Sequence, residues 1–135
     1  MADRKFEGLK ILLVEEEVLI AMDIEQLCYE QGATAVETIG TEDMLASAAR
    51  DPEKAKVIDV DAAILDVKVG ESLTSDLAAR LRDRNIPFIF ATGYTTAEPF
   101  FTQFPDVPMI AKPYVGPELV EALATAVSRA RSRND

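Results

Sequence analysis

The chain contains no histidine and a single cysteine, Cys28. Without histidine, the chain can have neither a histidine-dependent catalytic triad nor a histidine metal ligand, and it cannot itself donate a phosphoryl group from histidine. Cys28 has no partner for an intramolecular disulfide, and it lies in an apolar helical pattern that predicts a buried small side chain. Basic residues are also scarce, with 14 against 24 acidic ones. Nucleic-acid binding is therefore not expected, because it depends on Lys and Arg.

The sequence also lacks long apolar stretches. No run approaches the roughly 18 residues of a membrane helix, and residues 1–10 lack the apolar segment of a signal peptide. We therefore expect a cytoplasmic protein that does not associate with membranes. Hydrophobic residues still make up 48% of the 135 residues, enough for the core of one domain. The prediction is a single domain over residues 1–135, with its core at about 8–131 and no output domain.

Short apolar runs alternate with segments of helical periodicity. Strands are predicted at 10–14, 34–39, 62–66, 86–91 and 107–111, and helices at 17–31, 42–50, 73–85 and from 117 onward. Residues 51–59 are predicted to be a polar connector. Residues 95–106, interrupted by Pro99, are predicted to form a short or mobile fourth helix. This alternation predicts an α/β fold with a parallel sheet covered by helices on both faces.

Polar residues follow most of the predicted strands. They are Glu15, Glu16 and Glu17 after the first strand, Asp66 at the end of the third, Thr92 after the fourth and Lys112 after the fifth. Functional crevices of such sheets lie beyond the carboxyl ends of the strands. Carboxylates are ligands that Mg²⁺ prefers, and an aspartate can act as nucleophile in phosphoryl transfer. Because that reaction needs neutralisation of charge on the transferred oxygens, an ammonium and a hydroxyl nearby fit the same chemistry.

The motifs VEEE, ILD, ATG and KP, in this order, resemble the response-regulator receiver family, of which CheY is the usual type. The resemblance spans about residues 8–130. It implies a flavodoxin-like fold with five parallel strands in the order 2-1-3-4-5. It also implies a signalling protein rather than an enzyme, catalysing at most its own phosphorylation and dephosphorylation. The FATGY run at 90–94 resembles the FATGUY subgroup, often associated with histidine kinases of the HWE type.

The resemblance assigns a role to individual residues by their positions. Asp66 is the implied phosphoacceptor, with Thr92 and Lys112 acting beside it. The implied Mg²⁺ ligands are Glu15, Glu16, Asp66 and the backbone carbonyl of Lys68. The implied switch residues are Thr92, Tyr94 and Met109. The implied partners are a sensor histidine kinase or phosphotransfer protein and a downstream protein of unknown identity, with the chain itself a monomer or weak dimer.

Two positions depart from the family pattern. Most receivers have aspartate where this chain has Glu16, and the extra methylene moves the carboxylate outward by about 1.5 Å. Because Mg²⁺ tolerates little distortion, we expect weak binding or coordination through water, with Mn²⁺ or Ca²⁺ as substitutes. Met109 stands where the family commonly has Tyr or Phe. The switch is therefore expected to involve the surface around residues 93–110, including Tyr94.

Alternative functions follow from the same features. Glu16 and Lys68 also fit a degenerate pseudo-receiver that binds proteins without being phosphorylated. A haloacid-dehalogenase-type phosphatase is disfavoured, because that family needs a DxD pair directly after the first strand and VEEE does not provide it. The phenylalanines at 100, 101 and 104 fit either packing in the core or a partner surface, and both readings stay open.

Overall fold

The structure is a computed structural model that describes residues 4–92, 103–112 and 116–134. Its strands are β1 Lys10–Val14, β2 Ala35–Ile39, β3 Ala62–Asp66, β4 Lys68–Val69, β5 Ser72–Leu73, β6 Phe88–Thr92 and β7 Met109–Ala111. Its α-helices are α1 Val18–Glu30, α2 Glu42–Arg50, α3 Ser75–Asp83 and α4 Gly116–Asn134. β1 and β3 lie where the apolar runs predicted them. Thr41 caps α2, since its hydroxyl accepts the Met44 N–H.

Five strands form one parallel sheet in the order β2-β1-β3-β6-β7. Counted without the two short strands β4 and β5, this is the predicted order 2-1-3-4-5, which is therefore confirmed. The central strands β1 and β3 consist almost entirely of apolar residues, because helices cover both of their faces. The polar residues at the carboxyl ends of β1, β3 and β7 consequently come to one edge of the sheet.

Successive side chains along a strand point to opposite faces of the sheet, and an apolar layer forms on each face. Leu12 and Val14 point into the layer shared with α2 and α3, whereas Ile11 and Leu13 point into the layer shared with α1 and α4. Cys28 belongs to the second layer and is buried, as predicted. Burial, with a smaller contribution from the charge of Glu25, raises the pKa of the Cys28 thiol to about 12.

Two regions differ from the sequence prediction. Residues 68–73 form an antiparallel hairpin of β4 and β5. The prediction that the third helix begins at Leu73 was therefore wrong, and Leu73 lies half-exposed in β5. The polar connector 51–59 contains a 3₁₀ turn at Val57–Asp59. Val57 and Val60, the residue directly after the turn, are buried because the turn packs them against the layer that contains α2 and α3.

Several predictions concern residues outside the described ranges. The predicted fourth helix over 95–106 falls mostly on residues 93–102, which also include Tyr94 and the phenylalanines at 100 and 101. Phe104 is described and is buried in the core, which supports the packing reading for that residue. Among the described helices, none has both the length and the apolar character needed to cross a bilayer.

Candidate functional site

The ends of three parallel strands bring Glu15, Asp66 and Lys112 to the same edge of the sheet. Glu15 directly follows β1, and its backbone N–H extends the ladder to the Ile39 carbonyl at 3.0 Å. Asp66 is the last residue of β3, which pairs directly with β1. Lys112 follows β7, so its long side chain reaches across the end of the intervening strand β6.

The Lys112 ammonium joins the two carboxylates. Its Nζ atom donates to Glu15 Oε1 at 2.5 Å and to Asp66 Oδ2 at 2.9 Å. Glu15 is 2% exposed and Asp66 is 7% exposed, while the Lys112 side chain is 15% exposed. Two acidic groups and one basic group thus share a largely buried site, and when all three are ionised the site carries one net negative charge.

Burial and pairing act in opposite directions on these groups. Burial raises the pKa of Asp66, and the Glu15 charge adds to this, although the hydrogen bond from Lys112 opposes both. Burial alone would lower the pKa of Lys112, but the hydrogen bonds to Glu15 and Asp66 outweigh it and raise that pKa. Lys112 therefore stays charged, and Asp66 is a more basic carboxylate than an exposed aspartate.

Sequence reasoning missed Thr74, which holds the backbone at Asp66. Its hydroxyl lies 2.6 Å from the Asp66 carbonyl oxygen and 3.2 Å from that of Val67, and Thr74 is fully buried. Thr74 directly precedes α3, a position at which a threonine hydroxyl usually caps the helix. Here it makes no such cap and instead donates back to the end of β3. Because no local pattern distinguishes these two uses, the sequence alone could not reveal the contact.

Replacing Thr74 with valine is expected to lower the free energy of unfolding by about 1–3 kcal/mol, because the Asp66 carbonyl then loses its hydrogen bond from the buried hydroxyl. Thr74→Ser keeps the hydroxyl and should recover most of this loss. Urea unfolding followed by circular dichroism measures both variants. Equal stabilities for Thr74→Val and wild type would contradict the assigned hydrogen bonds.

The predicted metal ligands do not all converge. Glu15 and Asp66 lie together on Lys112, whereas Glu16 is exposed and its Oε2 accepts the Gly70 N–H at 2.8 Å. The Lys68 N–H faces Asp66 Oδ1 at 3.5 Å. Within the described part of the chain, no group of three acidic or cysteine side chains is arranged to hold a metal ion. The pair Glu15 and Asp66 still fits Mg²⁺, which often binds proteins through one or two carboxylates and keeps several waters.

The predicted switch residues are only partly described. The backbone of Thr92 ends β6 beside Ala111 of β7, as expected for a residue at the carboxyl edge. Met109 is half-buried and packs with Val107 against the layer that contains α2 and α3. Tyr94 lies outside the described residues. The switching roles of all three residues stay predictions.

No protein-family model matches the chain, and a search of curated protein sequences found no match. Solved structures do share its fold. A response regulator receiver protein from Sinorhizobium medicae is 19% identical with a TM-score of 0.75, over 92% of this chain and 98% of that one. A CheY-like receiver domain from Methanospirillum hungatei is 21% identical with a TM-score of 0.74, over 94% of this chain and 99% of that one.

A longer protein contains the same fold as one of its parts. The response regulator PhyR from Brucella abortus is 23% identical with a TM-score of 0.70, and the match covers 96% of this chain but 52% of PhyR. At these identities the likeness concerns the fold. The chain therefore has the single-domain α/β fold of response-regulator receiver domains.

Proposed function

We propose that this protein is the phospho-accepting receiver of a two-component phosphorelay and that Asp66 takes the phosphoryl group. The observation that carries the proposal is the buried cluster at the carboxyl edge of the sheet. There the Lys112 ammonium bridges Asp66 Oδ2 and Glu15 Oε1 at the end of β3. A carboxylate nucleophile with a fixed ammonium beside it is the arrangement that aspartyl-phosphate chemistry needs.

In the proposed reaction, a carboxylate oxygen of Asp66 attacks the phosphorus of the donor. The new bond joins this oxygen to phosphorus, and the bond between phosphorus and the leaving group breaks, so the donor group departs with its electron pair. Oδ2 is held by Lys112, which leaves Oδ1 as the freer nucleophile. Lys112 neutralises negative charge that gathers on the transferred phosphoryl oxygens.

A divalent cation is proposed as a weakly bound cofactor. Glu15 and Asp66 are the residues that would hold Mg²⁺, with Mn²⁺ or Ca²⁺ as substitutes. When bound, such an ion supplies further charge neutralisation at the phosphoryl oxygens. The Lys68 carbonyl remains a proposed additional ligand, since this residue comes two positions after Asp66.

The proposed donor is a phosphohistidine on another protein, because this chain contains no histidine. A sensor histidine kinase or a phosphotransfer protein fits this role, and the FATGY run favours a kinase of the HWE type. The proposed output is a change in the surface around residues 93–110, read by a downstream protein. Met109 packs against the core at the end of that region, and this contact supports its proposed part in the switch.

Incubation with acetyl phosphate and a divalent cation is expected to add the mass of one phosphoryl group to the wild-type protein, and Asp66→Asn should abolish this addition. Intact-protein mass spectrometry measures it, and Asp59→Asn is the matched control because Asp59 is exposed at the opposite edge of the sheet. Modification of Asp66→Asn at the wild-type level would exclude Asp66 as the acceptor. A folded wild type that stays unmodified would support the pseudo-receiver alternative instead.

A further inference from the structure

Two acidic side chains hold the turn of the β4–β5 hairpin. The Gly70 N–H donates to Glu16 Oε2 at 2.8 Å, and the neighbouring Glu71 N–H donates to Glu42 Oε1. Glu16 follows β1 and Glu42 begins α2, so both contacts connect distant parts of the chain. The hairpin is therefore anchored at its tip from two directions.

The conformation of the turn favours glycine at its tip. Gly70 has a φ of +57°, a conformation that side chains with a Cβ rarely adopt. A Cβ atom at this position would also collide with the Glu42 carboxylate. The close approach of the Glu42 carboxylate to the tip thus fits a position without a Cβ atom.

The base of the same hairpin lies against the proposed phosphoacceptor. The Lys68 N–H faces Asp66 Oδ1 at 3.5 Å, on the side of the carboxylate away from Lys112. At the same base, the Thr74 N–H donates to the Val67 carbonyl at 3.0 Å and the Thr74 hydroxyl donates to the Asp66 carbonyl. Any tilt of the hairpin therefore moves the groups that position Asp66.

We propose that Glu16 is a positioning residue for Asp66, acting through Gly70 and the hairpin, rather than a ligand of the divalent cation. This inference rests on the proposed function of Asp66. It accounts for glutamate at a position where most receivers have aspartate, because the additional methylene gives the carboxylate the reach to Gly70. The cation-holding carboxylates are then Glu15 and Asp66 alone.

Three substitutions of Glu16 separate the two roles. Glu16→Gln keeps an oxygen that accepts the Gly70 N–H but removes the charge that a cation ligand needs. Glu16→Ala removes both, and Glu16→Asp keeps the charge but shortens the reach. Glu17→Gln is the matched control, since Glu17 is the neighbouring exposed glutamate.

Amide hydrogen exchange of Gly70, measured by NMR, reports on the hairpin. Exchange is expected to accelerate about tenfold in Glu16→Ala and Glu16→Asp, and to stay within about threefold of wild type in Glu16→Gln and Glu17→Gln. Titration with Mg²⁺, followed by amide shifts, reports on the cation. Its dissociation constant should change less than about threefold in Glu16→Gln but rise more than about tenfold in Glu15→Gln.

Phosphorylation by acetyl phosphate is the third readout. Its rate should fall about tenfold in Glu16→Ala, as for a small misplacement of a reacting group, and recover in Glu16→Gln. Unchanged Gly70 exchange in Glu16→Ala, or a tenfold loss of Mg²⁺ affinity in Glu16→Gln, would overturn the inference. If the wild type is not phosphorylated at all, the proposed function fails, while the exchange and Mg²⁺ measurements still decide the role of Glu16.

Discussion

Replacing Lys112 with glutamine is expected to lower the free energy of unfolding by about 3 kcal/mol at neutral pH, the size found when one partner of a buried ion pair is removed. Lys112 is the cation that holds Glu15 Oε1 and Asp66 Oδ2 together in a site from which water is largely excluded. Without it, two buried carboxylates face each other with no compensating charge. Glutamine retains a hydrogen-bond donor but is one atom shorter than lysine, so the expected loss reflects both the missing charge and the shorter reach.

The effect should depend on pH in a defined direction. The folded-state pKa of Lys112 is raised above its ordinary value of 10.5, so its contribution is complete below that value and disappears only in strong alkali. Asp66 has a raised folded-state pKa, so the folded protein binds its proton more tightly and stability falls as pH rises through the window above 3.8. Loss of Lys112 raises that pKa further. The deficit of Lys112→Gln should therefore shrink on acidification, as a carboxylate becomes protonated.

Urea unfolding at neutral and at mildly acidic pH measures both the size of the loss and its pH dependence. Lys5→Gln is a suitable control, because Lys5 pairs with Glu121 at 3.6 Å on the exposed surface. Such a pair contributes roughly 0–1 kcal/mol. A loss in Lys112→Gln that matched the Lys5→Gln control, or that did not vary with pH, would contradict the assigned electrostatics of the site.

Truncating Phe104 to alanine is expected to cost about 3–5 kcal/mol of folding free energy, the range for a buried phenylalanine. Phe104 is 5% exposed. Its ring centroid lies 5.7 Å from that of Phe88 and 5.6 Å from that of Phe90. The Arg82 guanidinium covers the ring at 4.9 Å and also bonds Asp106 at 2.9 Å. Both the cavity and the loss of these ring contacts contribute to the expected cost.

Phe104→Leu fills much of the same volume and should cost less than Phe104→Ala, about 1–2 kcal/mol. Leu73→Ala is the control for an exposed apolar residue and should change the stability by less than about 0.5 kcal/mol. Thermal or urea unfolding distinguishes these cases. A stability of Phe104→Ala equal to that of Leu73→Ala would favour the partner-surface reading of this phenylalanine over core packing.

The elements that the sequence predicted well are those with a local physical signal. β1 and β3 are continuous apolar runs because both faces of the sheet are covered, so their bounds could be read directly. The predicted start of α2 at Glu42 also agrees with the structure, where Thr41 directly before it caps the helix. The β4–β5 hairpin carries no such signal, since strands of two residues show no periodicity. Leu73 lies four residues before Leu77, a spacing that also fits a helix, and the predicted third helix therefore begins too early.

The sequence by itself determined which residues come to the carboxyl edge of the sheet, because in a parallel sheet the residues that follow the strands must meet there. Only the tertiary structure decided in which direction the side chain of each consecutive glutamate points. Glu15 extends the β1 ladder and turns inward to Lys112, whereas Glu16 turns outward to Gly70. These two directions depend on hydrogen bonds to Lys112, 97 residues from Glu15, and to Gly70, 54 residues from Glu16. No local pattern encodes contacts over such distances along the chain. The same holds for Thr74. Its hydroxyl donates to the Asp66 carbonyl instead of capping α3, because the fold brings the end of β3 next to it.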